Sequence, residues 1–219
     1  MAPDRDAASI SDPAAASAAI GALDRVIVIG PIASGKTTLA ARLATALGSP
    51  HVELDEMHWQ TGFVARPTAE FLDLVRAALD ANERWVICGN YIDDTQEMTW
   101  PLTEAVIWLD YPLRVRLTRN IRRRWQRSHE AGTATTSAPA GRSRLRGWLR
   151  GRALLSNAYL ALHILRAQIE VIRNFRYWRR FFAAQIGDPR WSHGTMIRLR
   201  TPEAADQFIA AVESGRRGR

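Results

Sequence analysis

The stretch GPIASGKTTLA, residues 30–40, holds the residue types that phosphate chemistry needs. Gly30, Gly35, Lys36 and Thr37 stand at the spacing G-x-x-x-x-G-K-[ST], a turn whose backbone N–H groups face inward around phosphate oxygens. Gly30, Ala33, Ser34, Gly35, Lys36, Thr37 and Thr38 are therefore the candidate nucleotide-binding set. Of the 30 basic side chains, Lys36 is the only lysine. A compact ammonium on a flexible stem reaches β- and γ-phosphates from within such a turn, whereas a planar guanidinium is too bulky and too fixed in its fork. Arginine serves wherever only a cation is wanted, and lysine stays where the shape of the charge matters. Thr37 offers a hydroxyl ligand to a magnesium ion. The implied ligands are ATP and Mg²⁺.

Such a turn works only between a buried strand and a helix, and the flanking sequence supplies both. RVIVIG (25–30) is a β-branched apolar run ending in glycine, and KTTLAARLATALG follows with Leu39, Leu43 and Leu47 at helical spacing before Gly48. HVELD (51–55), RWVICGN (84–90), EAVIWLDYP (104–112) and GTMIRLR (194–200) read as further strands. Residues 68–83, 112–127 and 202–214 read as helices. Strands alternating with helices predict a five-stranded parallel sheet covered on both faces, a three-layer αβα arrangement.

Charge divides the chain. Residues 1–113 carry 7 basic against 16 acidic side chains, while residues 114–180 carry 17 arginines against Glu130 and Glu170. The basic segment must meet something anionic. Residues 128–192 do not follow the strand–helix alternation. Their first part is rich in Gly, Ala, Ser, Thr and Pro, as a loop is. Leu155, Ala158, Leu162, Leu165, Ile169 and Ile172 then mark one face of a long helix over about 153–184, with Arg166, Arg173 and Arg180 every seven residues. The predicted organisation is a leader at 1–22, a core at 23–127 and 193–214, an Arg-rich helical insert at 128–192, and a basic tail at 215–219. The leader contains acidic residues and no unbroken apolar run, so it is a poor signal peptide, and no uncharged stretch is long enough to span a membrane. A lone Cys88 excludes a disulfide framework and a zinc site built on cysteines, and it fits a reducing compartment. The expected location is cytoplasmic. The five histidines show no metal-ligand spacing and read as structural or solvent-facing.

Together GPIASGKTT, ELDEMHWQTGF (53–63), WVICGNY (85–91), WLDYP (108–112) and MIRLRTPEAADQFIAAV (196–212) resemble the adenylate-kinase-like P-loop kinases, and more closely the DNA topology modulation proteins. The resemblance covers about 25–127 and 194–213. It implies an ATP-dependent phosphotransferase acting on a nucleotide, nucleoside or other small acceptor. Ala33 stands where many such kinases have glycine. By the resemblance, Asp55 faces the acceptor or the metal, although an acid there also suits a helix N-cap. Trp59 and Phe63 form an aromatic wall or belong to the core, and Asn90 and Tyr91 stand at the acceptor. Arg119 and Arg123, one helical turn apart, correspond to arginines that neutralise the transferring phosphoryl group. With Lys36 and Asp55 they complete the candidate catalytic set. Cys88 occupies the position where similar kinases carry the aspartate that orders the Mg²⁺ shell, so that task falls on Thr37, with Asp55 or Asp110 helping. Tyr91 and Ile92 replace the arginine that grips an acceptor phosphate, which leaves AMP without its usual hold.

The insert admits several readings. As a lid it closes over ATP. As a nucleic-acid surface in a regulatory NTPase, arginines interleaved with Trp125, Trp148, Tyr177 and Trp178 contact phosphates and stack on bases. As an interfacial helix it meets anionic lipid. Alternatively its apolar seam packs on the core, or on a second copy to form a homodimer.

Lys36→Arg keeps the charge and changes only its shape. The expected outcome is loss of nucleotide binding or turnover, measured by ATP titration and phosphate release. Wild-type affinity and turnover in this variant would return the lysine to an ordinary surface cation.

Overall fold

Alternating side chains of β1 (Arg25–Ile29) are buried on opposite faces, Val26 and Val28 on one and Ile27 and Ile29 on the other. A strand buried on both faces must be central, with layers above and below. The computed structural model describes residues 23–62, 64–122, 188–191 and 194–217, together with 162, 165, 166, 168, 169, 171–173, 175 and 177–185. The expected leader, Phe63, Arg123 and most of the insert lie outside these residues.

Around β1 the sheet runs β2 (His51–Glu53), β5 (Trp85–Cys88), β1, β6 (Ala105–Leu109) and β7 (Thr195–Leu199), with every pairing parallel. These are the five strands expected from the sequence. One face is covered by α1 (Lys36–Leu47) and α7 (Pro202–Arg217), through Leu39, Leu43, Phe208 and Ile209. On the other lie α3 (Thr68–Asp80) and α4 (Ile92–Thr99), where Phe71, Val75 and Ile92 pack on Trp85, Ile87 and Trp108. The result is the three-layer P-loop NTPase arrangement. A short helix α2 (Leu54–His58) and a hairpin, β3 (Trp59–Gln60) with β4 (Val64–Ala65), follow β2 and were not expected. They and α4 are too short or too polar to show a helical or strand period.

Beyond β6, residues 113–122 form α5, and the described residues of 162–185 are helical and form α6. The apolar face expected on that helix is not the one that packs. Leu162, Leu165, Ile169 and Ile172 stand 45–56% exposed, whereas Val171 and Phe182 are buried. Bulky aromatics decide the rotation, since Phe182 packs on Trp108 with ring centroids 5.6 Å apart and Trp178 stacks on Phe182 at 5.4 Å.

Asp110 is buried at the end of β6 and joins three elements. It accepts from Arg198 of β7 through Nε at 3.1 Å and Nη2 at 2.5 Å, and it pairs with Arg179 of α6 at 3.5 Å. Arg198 lies over the Trp108 ring at 4.3 Å. Arg116 of α5 is fully buried over the ring of Phe175, 4.5 Å away, with no hydrogen-bond partner on any guanidinium nitrogen. Burial pulls its pKa down to about 10, and the charge of Asp110 opposes the drop. Asp110 is thus an ion-pair hub rather than the magnesium helper proposed for it from sequence.

Arg198→Met removes the closer partner of a buried carboxylate and, among the described residues, leaves the half-exposed Arg179. The expected loss is about 3 kcal/mol, because a buried charge is left largely uncompensated. Urea denaturation measures it, and a loss within experimental error would show that Asp110 is adequately held by Arg179 alone.

Candidate active site

The ends of β1, β5 and β2 lie side by side, and the candidate residues follow directly from them. After Ile29 the chain enters the glycine-rich turn. Ala33 takes φ 63° and Gly35 φ 90°, and Ser34 N donates to Pro31 O at 3.1 Å. Two left-handed residues give the turn its tight bend. Gly35 adopts its angle without strain, whereas Ala33 carries a Cβ in a region that costs an L-residue about 1–2 kcal/mol. Ala33, which stands where many similar kinases have glycine, is therefore a strained element of the turn. Leu39 N donates to Gly35 O at 3.0 Å, closing the first turn of α1.

The turn is shaped for an anion. Ser34 Oγ is buried without a hydrogen-bond partner. A Cβ on Gly30 would lie 2.7 Å from that oxygen and 3.1 Å from Leu109 Cβ, so glycine is what lets the backbone close here. An open cleft of about 380 Å³ extends from the turn, lined by Lys36, Thr37 and Thr38 on one side and by Tyr111, Arg119 and Pro202 on the other. Arg119 donates from Nη1 to Ser34 O at 2.9 Å, and its guanidinium lies 5.2 Å from the Tyr111 ring centroid. Burial pushes the Tyr111 hydroxyl up to about 12, so the ring meets the cleft uncharged at neutral pH.

The carboxylate that reaches the turn is one that the sequence reading passed over. Thr37 Oγ1 donates to Glu53 Oε1 at 3.3 Å. In the β2–β5 ladder Glu53 is the Cα partner of Cys88, so it reaches the region fronted by Cys88 from the neighbouring strand. The Cys88 thiol is pushed up to about 12, chiefly by burial and then by the charge of Glu53, and it is neutral at ordinary pH. The neutral thiol brings no negative charge to this edge, and the carboxylate beside Thr37 is that of Glu53. His51, two residues back on the same strand face, places Nε2 3.2 Å from Cys88 Sγ.

Asp55 sits in α2, and the Tyr91 hydroxyl donates to its Oδ1 at 2.8 Å. Burial, and then the hydrogen bond to Asp55, raise the Tyr91 pKa, which keeps the phenol protonated and donating. The structure thus brings Asp55 and Tyr91 together. Asn90 Oδ1 turns toward the P-loop and accepts from Gly30 N at 3.5 Å, a long contact. Trp59 is 43% exposed on the hairpin, edge-on to His58 at 4.9 Å. It stands beside this group rather than in the core. His58 packs against Tyr91 at 4.5 Å and Phe71 at 5.2 Å, and so backs the Tyr91 ring.

Strand order, turn and cleft define the class, a P-loop nucleotide-binding α/β fold. No family model matches the chain, and no curated protein matches it. Among solved structures it is similar to a shikimate kinase from Acinetobacter baumannii in complex with shikimate, at 16% identity over 92% of this chain and 97% of that one, with a TM-score of 0.49. It is also similar to a gluconokinase from Sinorhizobium meliloti, at 16% identity over 89% and 94%, with a TM-score of 0.42.

Proposed function

We propose that the chain transfers the γ-phosphoryl group of ATP to a hydroxyl of a small acceptor. The observation that carries this reading is the contact of Glu53 with Thr37, which sets a carboxylate and a hydroxyl side by side at the first turn after a phosphate-shaped loop. The amides of the turn, the unpartnered Ser34 hydroxyl and Lys36 suit the phosphates. Tyr111, Arg119 and Pro202 bound the remaining length of the cleft, where a flat base fits between a guanidinium and a proline. Two hard oxygen donors on Thr37 and Glu53 fit Mg²⁺, which would neutralise charge between the β- and γ-phosphates.

Asp55 takes the acceptor's proton. The acceptor oxygen attacks the γ-phosphorus, the bond from phosphorus to the bridging oxygen breaks, and ADP leaves with that electron pair. Tyr91 orients Asp55 by donating to one carboxylate oxygen, which leaves the other for the acceptor hydroxyl. Asn90 and Trp59 flank the acceptor, and the insert that carries α6 covers the site as a lid. The arginine of sequence interest, Arg119, lies at the nucleotide cleft, so its charge first serves the bound nucleotide and reaches the transferring group from that side.

A second reading assigns the basic insert to nucleic acid, in a regulatory NTPase. Exposed Arg166, Arg173 and Arg180 at a seven-residue spacing favour it. Binding through them would weaken steeply with salt, as counterions are released from each neutralised phosphate.

A screen of ATP against nucleosides, nucleoside monophosphates and small hydroxylated metabolites tests the first reading. Transfer to at least one acceptor is expected, with a fall in kcat of about 10² or more in Asp55→Asn. ATP hydrolysis with no transfer to any acceptor, unaltered in Asp55→Asn, would favour the regulatory NTPase instead.

Glu53→Gln isolates the metal contribution. ATP affinity measured with Mg²⁺ should fall about tenfold, equivalent to ~1.4 kcal/mol, while affinity in EDTA should hardly change. An equal loss in both conditions would show that Glu53 shapes the loop without serving a cation.

A further inference from the structure

Glu53 faces a second set of neighbours besides Thr37. His51 and Glu53 are two residues apart on β2, so both side chains leave the same face of the strand. Cys88 is paired with Glu53 on the adjacent strand. The consequence is a three-residue cluster: one donor atom each from His51, Glu53 and Cys88 lies within 4.8 Å of the other two. His51 Nε2 and Cys88 Sγ are already 3.2 Å apart. Around a tetrahedral zinc ion with ordinary bond lengths, such a nitrogen and sulfur stand about 3.6 Å apart. The pair has to open by only a few tenths of an ångström.

The donors select the ion. Imidazole, thiolate and one carboxylate suit Zn²⁺ and its first-row neighbours, whereas Mg²⁺ and Ca²⁺ require oxygen. A single cysteine excludes a site made of thiolates, not a mixed site assembled across two strands. Three protein ligands leave a fourth position open to water or the Thr37 hydroxyl, which lies 4.0 Å from Cys88 Sγ. We propose that His51, Glu53 and Cys88 form a transition-metal site of the zinc class that shares Glu53 with the P-loop.

Binding exchanges the thiol proton for the ion, so one proton goes to solvent and the thiolate keeps the electron pair that ligates the metal. A cation held here and a cation held at Thr37 draw on the same carboxylate. The two sites are therefore mutually exclusive at full ligation, and zinc-class ions oppose Mg²⁺-dependent turnover. That last consequence rests on the phosphotransfer reading, whereas metal binding itself does not.

The full chain, reduced and free of nucleotide, is titrated with Co²⁺ and followed in the near ultraviolet. Cys88 is the only cysteine among the 219 residues, so a thiolate-to-cobalt charge-transfer band has one source. The expected result is a band that saturates at one Co²⁺ per chain, is abolished by Zn²⁺ and survives excess Mg²⁺. Cys88→Ser should lose the band, and His51→Gln should bind Co²⁺ at least tenfold more weakly. Absence of a band in the wild-type chain, or wild-type affinity in His51→Gln, overturns the site. If Cys88→Ser does not fold, the wild-type titration and His51→Gln decide the matter. The binding result is read without ATP, so failure of the phosphotransfer screen leaves it intact.

Discussion

Everything at this site depends on β1 being a central strand with both faces buried. A strand so placed has parallel neighbours on both sides, β5 and β6, and its two faces need helices. Its C-terminal end then lies in line with the ends of its neighbours, because parallel ladders run in register. From that one edge emerge the phosphate turn after β1, the Cys88–Tyr91 segment after β5 and the Asp110–Tyr111 segment after β6. Polar groups converge there because the strands deliver them together, and the buried apolar interior holds the edge in place. The orphaned Ser34 hydroxyl and the left-handed Ala33 belong to the same economy, since the rest of the sheet is rigid enough to hold strain that a lone turn would relax.

Parallel pairing lets either of two adjacent strands bring a side chain to the same edge of the sheet. In parallel pairing, Glu53 and Cys88 are neighbours at the same level of the sheet, so a side chain from either can front the first turn of α1. A long glutamate at the edge strand covers the distance that a shorter aspartate would cover from the inner one. A thiol and an imidazole stand in contact beside this carboxylate, and this gives the region its mixed hard and soft character.

The sheet was legible in the sequence because apolar runs such as RVIVIG, RWVICGN and EAVIWLDYP alternate with helical periods and end in glycine, asparagine or a turn, and because central parallel strands are buried on both faces. The P-loop was legible because its chemistry is local: eight consecutive residues contain the turn, the lysine and the hydroxyl. Glu53 was not legible as a partner of Thr37, since the contact joins residues sixteen apart through a register that no periodicity reveals. The same holds for His51 and Cys88, separated by thirty-seven residues. Asp110 misled for the opposite reason. It stands at a strand end, where acids often meet metal, but its surroundings are decided by Arg198 and Arg179, far along the chain. Which stripe of α6 meets the core was left open because two apolar stripes share that helix, and packing against Trp108 turns the aromatic one inward.

Asp110 and Tyr111 are consecutive, and they face different partners. Asp110 ties β7 and α6 to the end of β6, and Tyr111 lines the nucleotide cleft beside Arg119. Arg116 and Arg119 leave α5 three residues apart, one buried against Phe175 of α6 and the other resting on the P-loop carbonyl of Ser34. The insert and the cleft are thus coupled through two short covalent links, a two-residue strand end and a single helical turn. A displacement of α6 that breaks the Arg179 contact must shift the balance of charge around Asp110, and Asp110 cannot move without Tyr111. Among the described residues the guanidinium of Arg116 is buried without a hydrogen bond and rests on the Phe175 ring, so its charge is only partly compensated. The ion-pair hub at Asp110 and the contact of Arg116 with Phe175 thus join α6 to the end of β6 and to α5.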